Sequence, residues 1–335
     1  MTNWNLIGHE AVVTSLQSAL ASGRLGQAYF FVGPTGVGKG TLALALASAL
    51  NCREAGAPCG SCSQCRRIRE GIHPDVLDLS LEEGKREISV ERIPDLQHDL
   101  YLRPFEGKCR VAIIRDAEHL NTFSGNQLLK ILEEPPAESM LILTTASEES
   151  VLPTLRSRCQ RIALQPVPVQ QIEEALRDRY SIEPSEAARI AAFAQGCPGV
   201  AISAAQDDKS LEHIGGQIEA LRTLLSATVA ERLLLSGKLA PGDTQREKIQ
   251  EQLRAWSLWW RDVLLVQNGC EDSIVYAHEE LAYREVASLL TPRDVHHSLA
   301  ALQRAQRQLD QNANPRLVLD VLFLNLPSLK STAAV

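Results

Sequence analysis

The sequence predicts an α/β fold, in which a parallel β-sheet domain is followed by a small helical domain and an all-helical C-terminal domain. Three observations carry this prediction. Short apolar runs alternate with helical patterns through residues 1–165, a glycine-rich loop lies between one run and a helical pattern, and the later sequence shows helical patterns only. Apolar runs of this length, separated by helices, are typical of parallel strands covered on both faces. Aromatic residues make up only 4% of the chain, which also favours helices over a sandwich or barrel.

The predicted strands follow one another through the first half of the chain. They are residues 28–32, 76–79, 111–114, 140–144 and 162–164. A helix over about 38–50 follows the first strand directly. The segment Gln165–Pro168 contains two prolines, which predict the end of the α/β domain.

Helical periodicity dominates beyond this boundary. Short helices are predicted at 169–180, 183–195 and 199–206. The longer segment 245–267 carries apolar residues three and four positions apart, so its tryptophans are expected to pack in a core. Asn314 and Pro315 are a cap residue and a first-turn proline, which predict the start of the last helix.

The predicted domains are residues 1–166, 167–207 and 208–330. The 34 basic and 41 acidic residues give the chain a net charge of −7. This charge excludes a protein that binds nucleic acid through a strongly basic surface over the whole molecule. The longest apolar stretch, Leu42–Leu50, is too short to span a bilayer, and the N-terminus lacks a signal-peptide pattern. We therefore expect a cytoplasmic protein without membrane partners, in which eight cysteines indicate metal or redox chemistry before disulfides.

A candidate phosphate-binding loop lies between the first predicted strand and the next helix. Its segment Gly33–Thr41 fits the pattern G-x-x-x-x-G-K, in which backbone N–H groups and a lysine bind phosphate oxygens. The candidate residues are Gly33, Gly36, Gly38, Lys39, Gly40 and Thr41.

The residue after the lysine departs from the usual pattern. This position commonly holds Ser or Thr, whose hydroxyl binds Mg²⁺, whereas here it is Gly40, with Thr41 one residue later. Two interpretations stay open at this point. The loop either folds without holding a metal well, or belongs to a nucleoside-monophosphate kinase, a family that uses Gly-Lys-Gly-Thr productively.

Four cysteines follow the loop helix in the spacing C-x6-C-x2-C-x2-C. Two-residue gaps allow neighbouring thiolates to bind one tetrahedral ion, so Cys52, Cys59, Cys62 and Cys65 predict a structural Zn²⁺ site without an open position. The four thiolates and Zn²⁺ would carry a negative charge. Three arginines lie close enough in sequence to offset it: Arg66, Arg67 and Arg69.

The end of the third predicted strand lacks an acidic residue that ATP hydrolysis needs. A working phosphate-loop ATPase ends this strand with Asp-Glu, for the metal and for the attacking water. Here Arg115 occupies the metal-carboxylate position and Asp116 the water-polarising one. If Asp116 were instead the metal ligand, Ala117 would follow it, so one acid is missing either way. The sequence predicts that the chain does not hydrolyse ATP.

Two long strings, Asn126–Pro136 and Thr154–Cys159, carry a family resemblance together with the cysteine spacing. They resemble the clamp-loader branch of AAA+ proteins, which includes subunits of bacterial DNA polymerase III. The resemblance implies that Gly33–Lys39 is the Walker A loop and Arg115–Asp116 an altered Walker B end.

The resemblance also implies roles for single residues. Thr144 or Thr145 falls at the sensor-1 position, and Gly199 stands where an active loader ATPase has the sensor-2 arginine. Arg158 matches the arginine of the Ser-Arg-Cys motif, which in this family acts as a finger on a neighbour's ATP. A guanidinium of this kind stabilises the charge that develops on a transferring phosphoryl group.

The implied function is that of a non-hydrolysing subunit that supplies Arg158 in trans while the complex loads a sliding clamp onto primed DNA. Implied partners are tau/gamma and delta subunits, the sliding clamp and primer–template DNA, within a hetero-oligomer. Residues 167–207 would be the lid and 208–330 the oligomerisation collar. Two alternatives are an active tau/gamma-type loader ATPase and a nucleoside-monophosphate kinase. ATP and Mg²⁺ in the chain's own site are not favoured, although the intact glycine loop leaves nucleotide binding open.

Overall fold

A computed structural model of the chain describes residues 4–54, 58–82, 85, 87–89, 91–206, 210–242, 245–271, 274, 280–311 and 313–329. The chain divides into two compact units. The first comprises residues 1–181 and 194–202, and the second comprises 182–193 and 203–335. The three-domain division at residues 166 and 207 stays a prediction.

The first unit contains one parallel sheet of five strands in the order β2-β3-β4-β1-β5. The strands are β1 (Ala28–Val32), β2 (Val76–Leu79), β3 (Arg110–Ile114), β4 (Ser139–Thr145) and β5 (Gln160–Ala163). Strands β3 and β4 are buried along their whole length, as the near-continuous apolar runs predict. The predicted α/β fold class is confirmed.

Helices cover both faces of this sheet. They are α1 (Glu10–Ala21), α2 (Lys39–Asn51), α3 (Ser63–Arg69), α4 (Arg92–Tyr101), α5 (Thr122–Glu133) and α6 (Pro153–Arg156). Helix α7 (Val169–Tyr180) follows β5 in the same unit. Successive strand residues point to opposite faces, so Tyr29 and Phe31 join the apolar core with residues of α1 and α2. Phe30 joins the other core, with residues of α4 and α5.

Strand β5 begins two residues before its predicted start. Its first residues, Gln160 and Arg161, are polar and exposed, because β5 is an edge strand that pairs with β1 alone. An edge strand is less buried than a central one, so the first two residues of β5 can be polar. The apolar run in the sequence therefore does not include them.

The helices of the second unit are α8 (Pro184–Phe193), α10 (Ser210–Ser226), α11 (Val229–Leu239), α12 (Arg246–Gln267), α13 (Glu280–Leu289), α14 (Pro292–Asp310) and α15 (Pro315–Asn325). Helix α9 (Pro198–Gln206) contains residues of both units. Trp256 and Trp260 of α12 are fully buried, which confirms the predicted core role of the tryptophans. The side chain of Asn314 caps α15 at the predicted start.

Candidate functional site

The loop between β1 and α2 needs glycine at several positions. Gly36 and Gly38 have φ values of 80° and 113°, which only glycine adopts readily. A Cβ at Gly33 would lie 2.4 Å from the carbonyl O of Leu164, and one at Gly36 would lie 2.8 Å from Val200 Cγ2. The loop can pack this tightly only because Gly33 and Gly36 have no side chain.

A cavity of about 270 Å³ lies at this loop, beyond the carboxyl end of β1. Most of the predicted site residues line it together, namely Gly36, Gly38, Lys39, Gly40, Thr41, Arg115, Asp116, Thr144 and Gly199. Gly33 and Thr145 are not among its lining residues. The sequence did not predict six other lining residues, because no motif marks them: Asn5, Leu6, Ile7, Arg179, Tyr180 and Ile202.

Lys39 is buried at the start of α2. Its Nζ donates hydrogen bonds to the carbonyl oxygens of Gly33 at 2.7 Å and of Pro34 at 3.0 Å. Burial lowers the pKa of Lys39, although the charges of Asp116 and Glu118 oppose that shift. The lysine thus lies on the loop that would surround a phosphate group.

Arg115 extends from the end of β3 and is held by a carboxylate of β2. Its Nε donates to Asp78 Oδ1 at 2.8 Å and its Nη2 to Asp78 Oδ2 at 2.6 Å. Hydrogen bonding to Asp78 raises the pKa of Arg115, so the guanidinium stays charged. Asp78 was not recognised in the sequence, since it lies in a different strand from its partner.

Arg115 and Gly40 occupy adjoining space. A Cβ on Gly40 would lie 2.6 Å from Arg115 Nη1, so a larger residue there would push the end of the arginine side chain aside. Gly40 lacks the hydroxyl and Arg115 lacks the carboxylate that usually bind Mg²⁺ at these positions. The cationic guanidinium of Arg115 lies beside Gly40 instead. These residues do not fit a divalent metal ion.

Asp116 follows Arg115 with an unusual backbone conformation, at a φ of 52°. Its N–H donates to Thr144 Oγ1 at 3.3 Å, so Thr144, rather than Thr145, lies beside the acidic strand end. The hydroxyl of Thr145 instead donates to the carbonyl O of Ser147. Burial and the neighbouring Glu118 raise the pKa of Asp116, which weakens it as a charged metal ligand.

Gly199 lies directly against the phosphate loop. Its N–H donates to the carbonyl O of Gly36 at 2.7 Å, and a Cβ at position 199 would lie 2.9 Å from that oxygen. An arginine at this position would therefore require the loop to move.

The four predicted cysteines form one cluster. All four Sγ atoms lie within 4.8 Å of one another, and the Sγ atoms of Cys52 and Cys62 are 4.0 Å apart. A tetrahedral ion with metal–sulfur bonds of about 2.3 Å separates its ligands by roughly 3.8 Å. The cluster can hold a metal ion with only modest contraction.

Helix ends position these cysteines. Cys52 follows the last residue of α2, and Cys62 caps α3 by accepting the N–H of Cys65. Cys59 accepts the N–H of Cys62, and this backbone hydrogen bond lowers the pKa of Cys59 to about 6. Burial raises the pKa of Cys65 to about 12. A cation among the sulfurs would favour the thiolate form of each.

The nearby arginines make other contacts. Arg67 pairs with Glu106, and Arg69 donates to the carbonyl O of Gly60. Arg69 therefore holds the cysteine loop at Gly60, and Arg67 joins α3 to Glu106, while their role in offsetting the charge of a metal cluster stays a prediction.

Arg158 lies outside the cavity. Its side chain is 38% exposed, with Nη2 2.8 Å from Glu133 Oε1 and Nη1 3.1 Å from the carbonyl O of Thr154. It precedes β5, whose first residue Gln160 pairs with Tyr29 near the start of β1. The phosphate loop follows the other end of β1. A strand rises about 3.3 Å per residue, so Arg158 lies on the order of 15 Å from that loop. Arg158 is at the amino ends of the strands, and the loop is at their carboxyl ends.

Comparisons with known proteins match nearly the whole chain. Residues 8–168 match the family described as "DNA polymerase III, delta subunit". DNA polymerase III subunit delta' of Bacillus subtilis is 30% identical over 94% of this chain and 95% of its own length. Subunit tau of Escherichia coli is 28% identical over 96% of this chain, which spans only 53% of tau.

Two solved structures also resemble the chain. The RuvB Holliday junction branch migration motor of Thermotoga maritima is 19% identical over 64% of each chain, with a TM-score of 0.42. A gamma subunit-related protein of the same organism is 16% identical over 92% of this chain and 98% of its own, with a TM-score of 0.40. Because both scores are low, the family assignment rests on the sequence relatives. Among the described residues, none of the helices is long and apolar enough to cross a membrane.

Proposed function

Because this chain belongs to the family of DNA polymerase III subunit delta', we propose that it is the non-hydrolysing delta' subunit of a clamp loader. In this role it assembles with tau/gamma and delta subunits and supplies Arg158 to a neighbour's ATP. The complex then loads the sliding clamp onto primer–template DNA in the cytoplasm.

The single observation that carries the proposal is the position of Arg158 relative to the chain's own phosphate loop. Strands β1 and β5 are parallel neighbours, so a residue before β5 and a loop after β1 lie at opposite ends of these strands. Arg158 therefore cannot contact a phosphate in its own cavity, whereas an exposed guanidinium can enter the site of an adjacent subunit.

The contacts of Arg158 also suit such a role. Its partner Glu133 is itself 53% exposed, and surface ion pairs of this kind contribute only about 0–1 kcal/mol. The arginine can leave Glu133 at little cost when a phosphoryl group is offered instead.

Three features of the chain's own cavity support the absence of hydrolysis. Arg115 replaces a metal-binding carboxylate, Gly40 lacks the metal-binding hydroxyl, and Gly199 packs against Gly36 where an arginine would not fit. An active tau/gamma-type ATPase needs these groups, and so does not match this cavity.

We further propose that the cysteine cluster holds a structural Zn²⁺. The sulfurs of Cys52, Cys59, Cys62 and Cys65 provide a closed set of four soft ligands, which Zn²⁺ prefers and which leaves no position for a substrate.

The proposal is tested with a loader reconstituted from its purified subunits. Arg158→Ala should leave assembly intact but reduce DNA- and clamp-stimulated ATP hydrolysis and, more strongly, clamp loading. Loss of a trans-acting arginine can reduce the rate at its own site by about 10³-fold or more, although the partners' other sites still contribute to the total. Arg158→Lys should restore little, since an ammonium lacks the planar fork of the guanidinium.

Arg161→Ala is the matched control, because Arg161 is exposed on β5, three residues after Arg158, and pairs with Glu148. This variant should hydrolyse ATP and load clamps as the unchanged complex does. Hydrolysis and loading at unchanged rates with Arg158→Ala would contradict the trans role. Steady ATP turnover by the isolated chain, abolished by Lys39→Ala, would contradict the non-hydrolysing role.

A further inference from the structure

The cavity at the phosphate loop retains groups that bind phosphate but has lost those that bind a metal. Gly36 and Gly38 keep the loop conformation, and Lys39 lies buried at the helix start. The N-terminus of α2 adds positive potential at the same place. The groups that would surround a phosphate are therefore all present in the cavity.

Arg115 has one end of its guanidinium fixed and the other free. Asp78 binds Nε and Nη2, whereas Nη1 makes no hydrogen bond within the described part of the chain. This Nη1 lies over Gly40, at 2.6 Å from the site of a would-be Cβ. The unpaired donor is thus held over the first turn of α2, where a metal ligand would stand in a working ATPase.

In phosphate-loop enzymes the metal bridges the phosphate oxygens and neutralises their charge. A guanidinium can do both, because it is always charged and its N–H groups form strong hydrogen bonds to phosphate oxygens. We propose that this cavity binds a nucleoside di- or triphosphate without a divalent cation, with Arg115 in the position of the metal.

The remaining walls suit such a ligand. Three lining residues are basic, Lys39, Arg115 and Arg179, and one is acidic, Asp116. Other lining residues are apolar or aromatic, namely Leu6, Ile7, Tyr180 and Ile202. A polyanionic chain fits the first region, and a planar base fits the second.

This inference does not depend on the loader role. Binding is measured on the isolated full-length chain, whereas the role of Arg158 is measured as hydrolysis and loading by the complex. Either proposal can therefore fail without the other.

Isothermal titration calorimetry of the full-length chain with ADP and with ATP, in EDTA and in Mg²⁺, tests the proposal. Both nucleotides should bind in EDTA, and Mg²⁺ should not tighten either binding, because the magnesium-bound nucleotide brings a second cation to the place that Arg115 occupies. Arg115→Ala should weaken binding in EDTA by at least about tenfold. Gly40→Ser should also weaken it, because the new Cβ displaces a guanidinium that is still present.

A double variant and a control sharpen the test. Gly40→Ser combined with Arg115→Asp restores a hydroxyl and a carboxylate, so its binding should become at least about tenfold tighter in Mg²⁺ than in EDTA. Arg161→Ala removes an arginine with a similar two-point carboxylate pair outside the cavity and should bind as the unchanged chain does. Thermal unfolding of each variant checks that it is folded.

Several results would overturn the proposal. These are binding that requires Mg²⁺ in the unchanged chain, absence of binding in both conditions, or unchanged affinity in Arg115→Ala and Gly40→Ser. Titration with inorganic tripolyphosphate distinguishes binding through the phosphates alone from binding that also uses the nucleoside. If it binds as tightly as ATP, the nucleoside part of the proposal is wrong.

Discussion

The carboxylate of Asp75 accepts three backbone hydrogen bonds in the first unit. Its oxygens accept the backbone N–H groups of Phe105, Glu106 and Gly107 at 2.7–2.9 Å, and Arg110 Nε lies 3.5 Å away. The side chain is completely buried. This one residue therefore fixes the loop that leads into β3.

The loop held by Asp75 also contacts the cysteine module. Gln64 of α3 donates to the carbonyl O of Glu106, and Asn51 Oδ1 accepts the N–H of Lys108. Asn51 immediately precedes the first cysteine of the cluster. Asp75 thus stabilises the loop that contacts the cysteine module, without being one of the clustered residues.

We predict that Asp75→Asn lowers the free energy of unfolding by about 2 kcal/mol, because the amide loses a charge-assisted set of hydrogen bonds and directs N–H groups toward other donors. Chemical denaturation at neutral pH measures this loss. Asp178→Asn, at an exposed carboxylate of α7, serves as the control and should change little.

The same residue predicts a pH dependence. Burial alone would raise the pKa of Asp75, but the three backbone N–H donors and Arg110 together lower it below 3.8. A depressed folded-state pKa means that the carboxylate stabilises the fold fully above the unfolded value, and that this stabilisation is lost as the pH falls through the folded value. The stability difference between the unchanged chain and Asp75→Asn should therefore narrow only below about pH 4. A difference that stays constant down to pH 2 would contradict this account.

At the scale of elements, α3 is a short helix that begins at one of the clustered cysteines. The helix has only seven residues, and its cap is the Sγ of Cys62. Isolated helices this short are unstable in water, so its stability must come from packing and from the cysteine cluster.

We predict about one Zn²⁺ per chain, lost in Cys62→Ser with Cys65→Ser, because a hydroxyl is a poor ligand for this ion. Elemental analysis of the purified chain measures the metal. Cys270→Ser, at an exposed cysteine outside the cluster, should retain the full amount. Unchanged metal content in the double variant would show that the cluster is not the site.

Elements with a local signal were predicted well. Strands β1 and β2 and helix α7 have the predicted bounds, and the cysteine spacing predicted a real cluster. These features depend on residues close together in sequence. Contacts between distant segments left no such signal, as the pairing of Arg115 with Asp78 and the hydrogen bonds of Asp75 show. Both join side chains to groups some 30 or more residues away, which periodicity and spacing do not reveal.

At the scale of the whole molecule, the second unit leaves apolar side chains exposed on two packed helices. Helix α11 packs against α15, and the buried Arg232 of α11 donates to the carbonyl oxygens of Phe323, Leu326 and Pro327 at the end of α15. Six of the exposed residues of this pair are apolar: Val229, Leu233, Leu234, Leu317, Val321 and Leu324. Leu317, Val321 and Leu324 recur at the four- and three-residue spacing of one helix face, and exposed apolar surface of this kind marks protein interfaces, which suits the proposed collar.

We predict that Leu317→Glu with Val321→Glu prevents assembly with tau/gamma and delta while leaving the chain folded, because both side chains are more than half exposed. Size-exclusion chromatography of the mixed subunits measures co-elution, and circular dichroism checks the fold. Leu281→Glu with Leu289→Glu changes two exposed leucines of α13 and should not affect assembly. Normal co-elution of the α15 variant would reject this surface as the interface.

The strand order has a consequence for synthesis of the chain on the ribosome. Strand β1 pairs only with β4 and β5, so residues 33–138 must be made before its first neighbour exists. At about 5–20 residues per second, this apolar strand waits on the order of 5–20 s with both edges unpaired. Nascent chains that end before β4 would expose it permanently. They should be aggregation-prone and should depend on chaperones, whereas the helical C-terminal unit emerges only after the sheet can close.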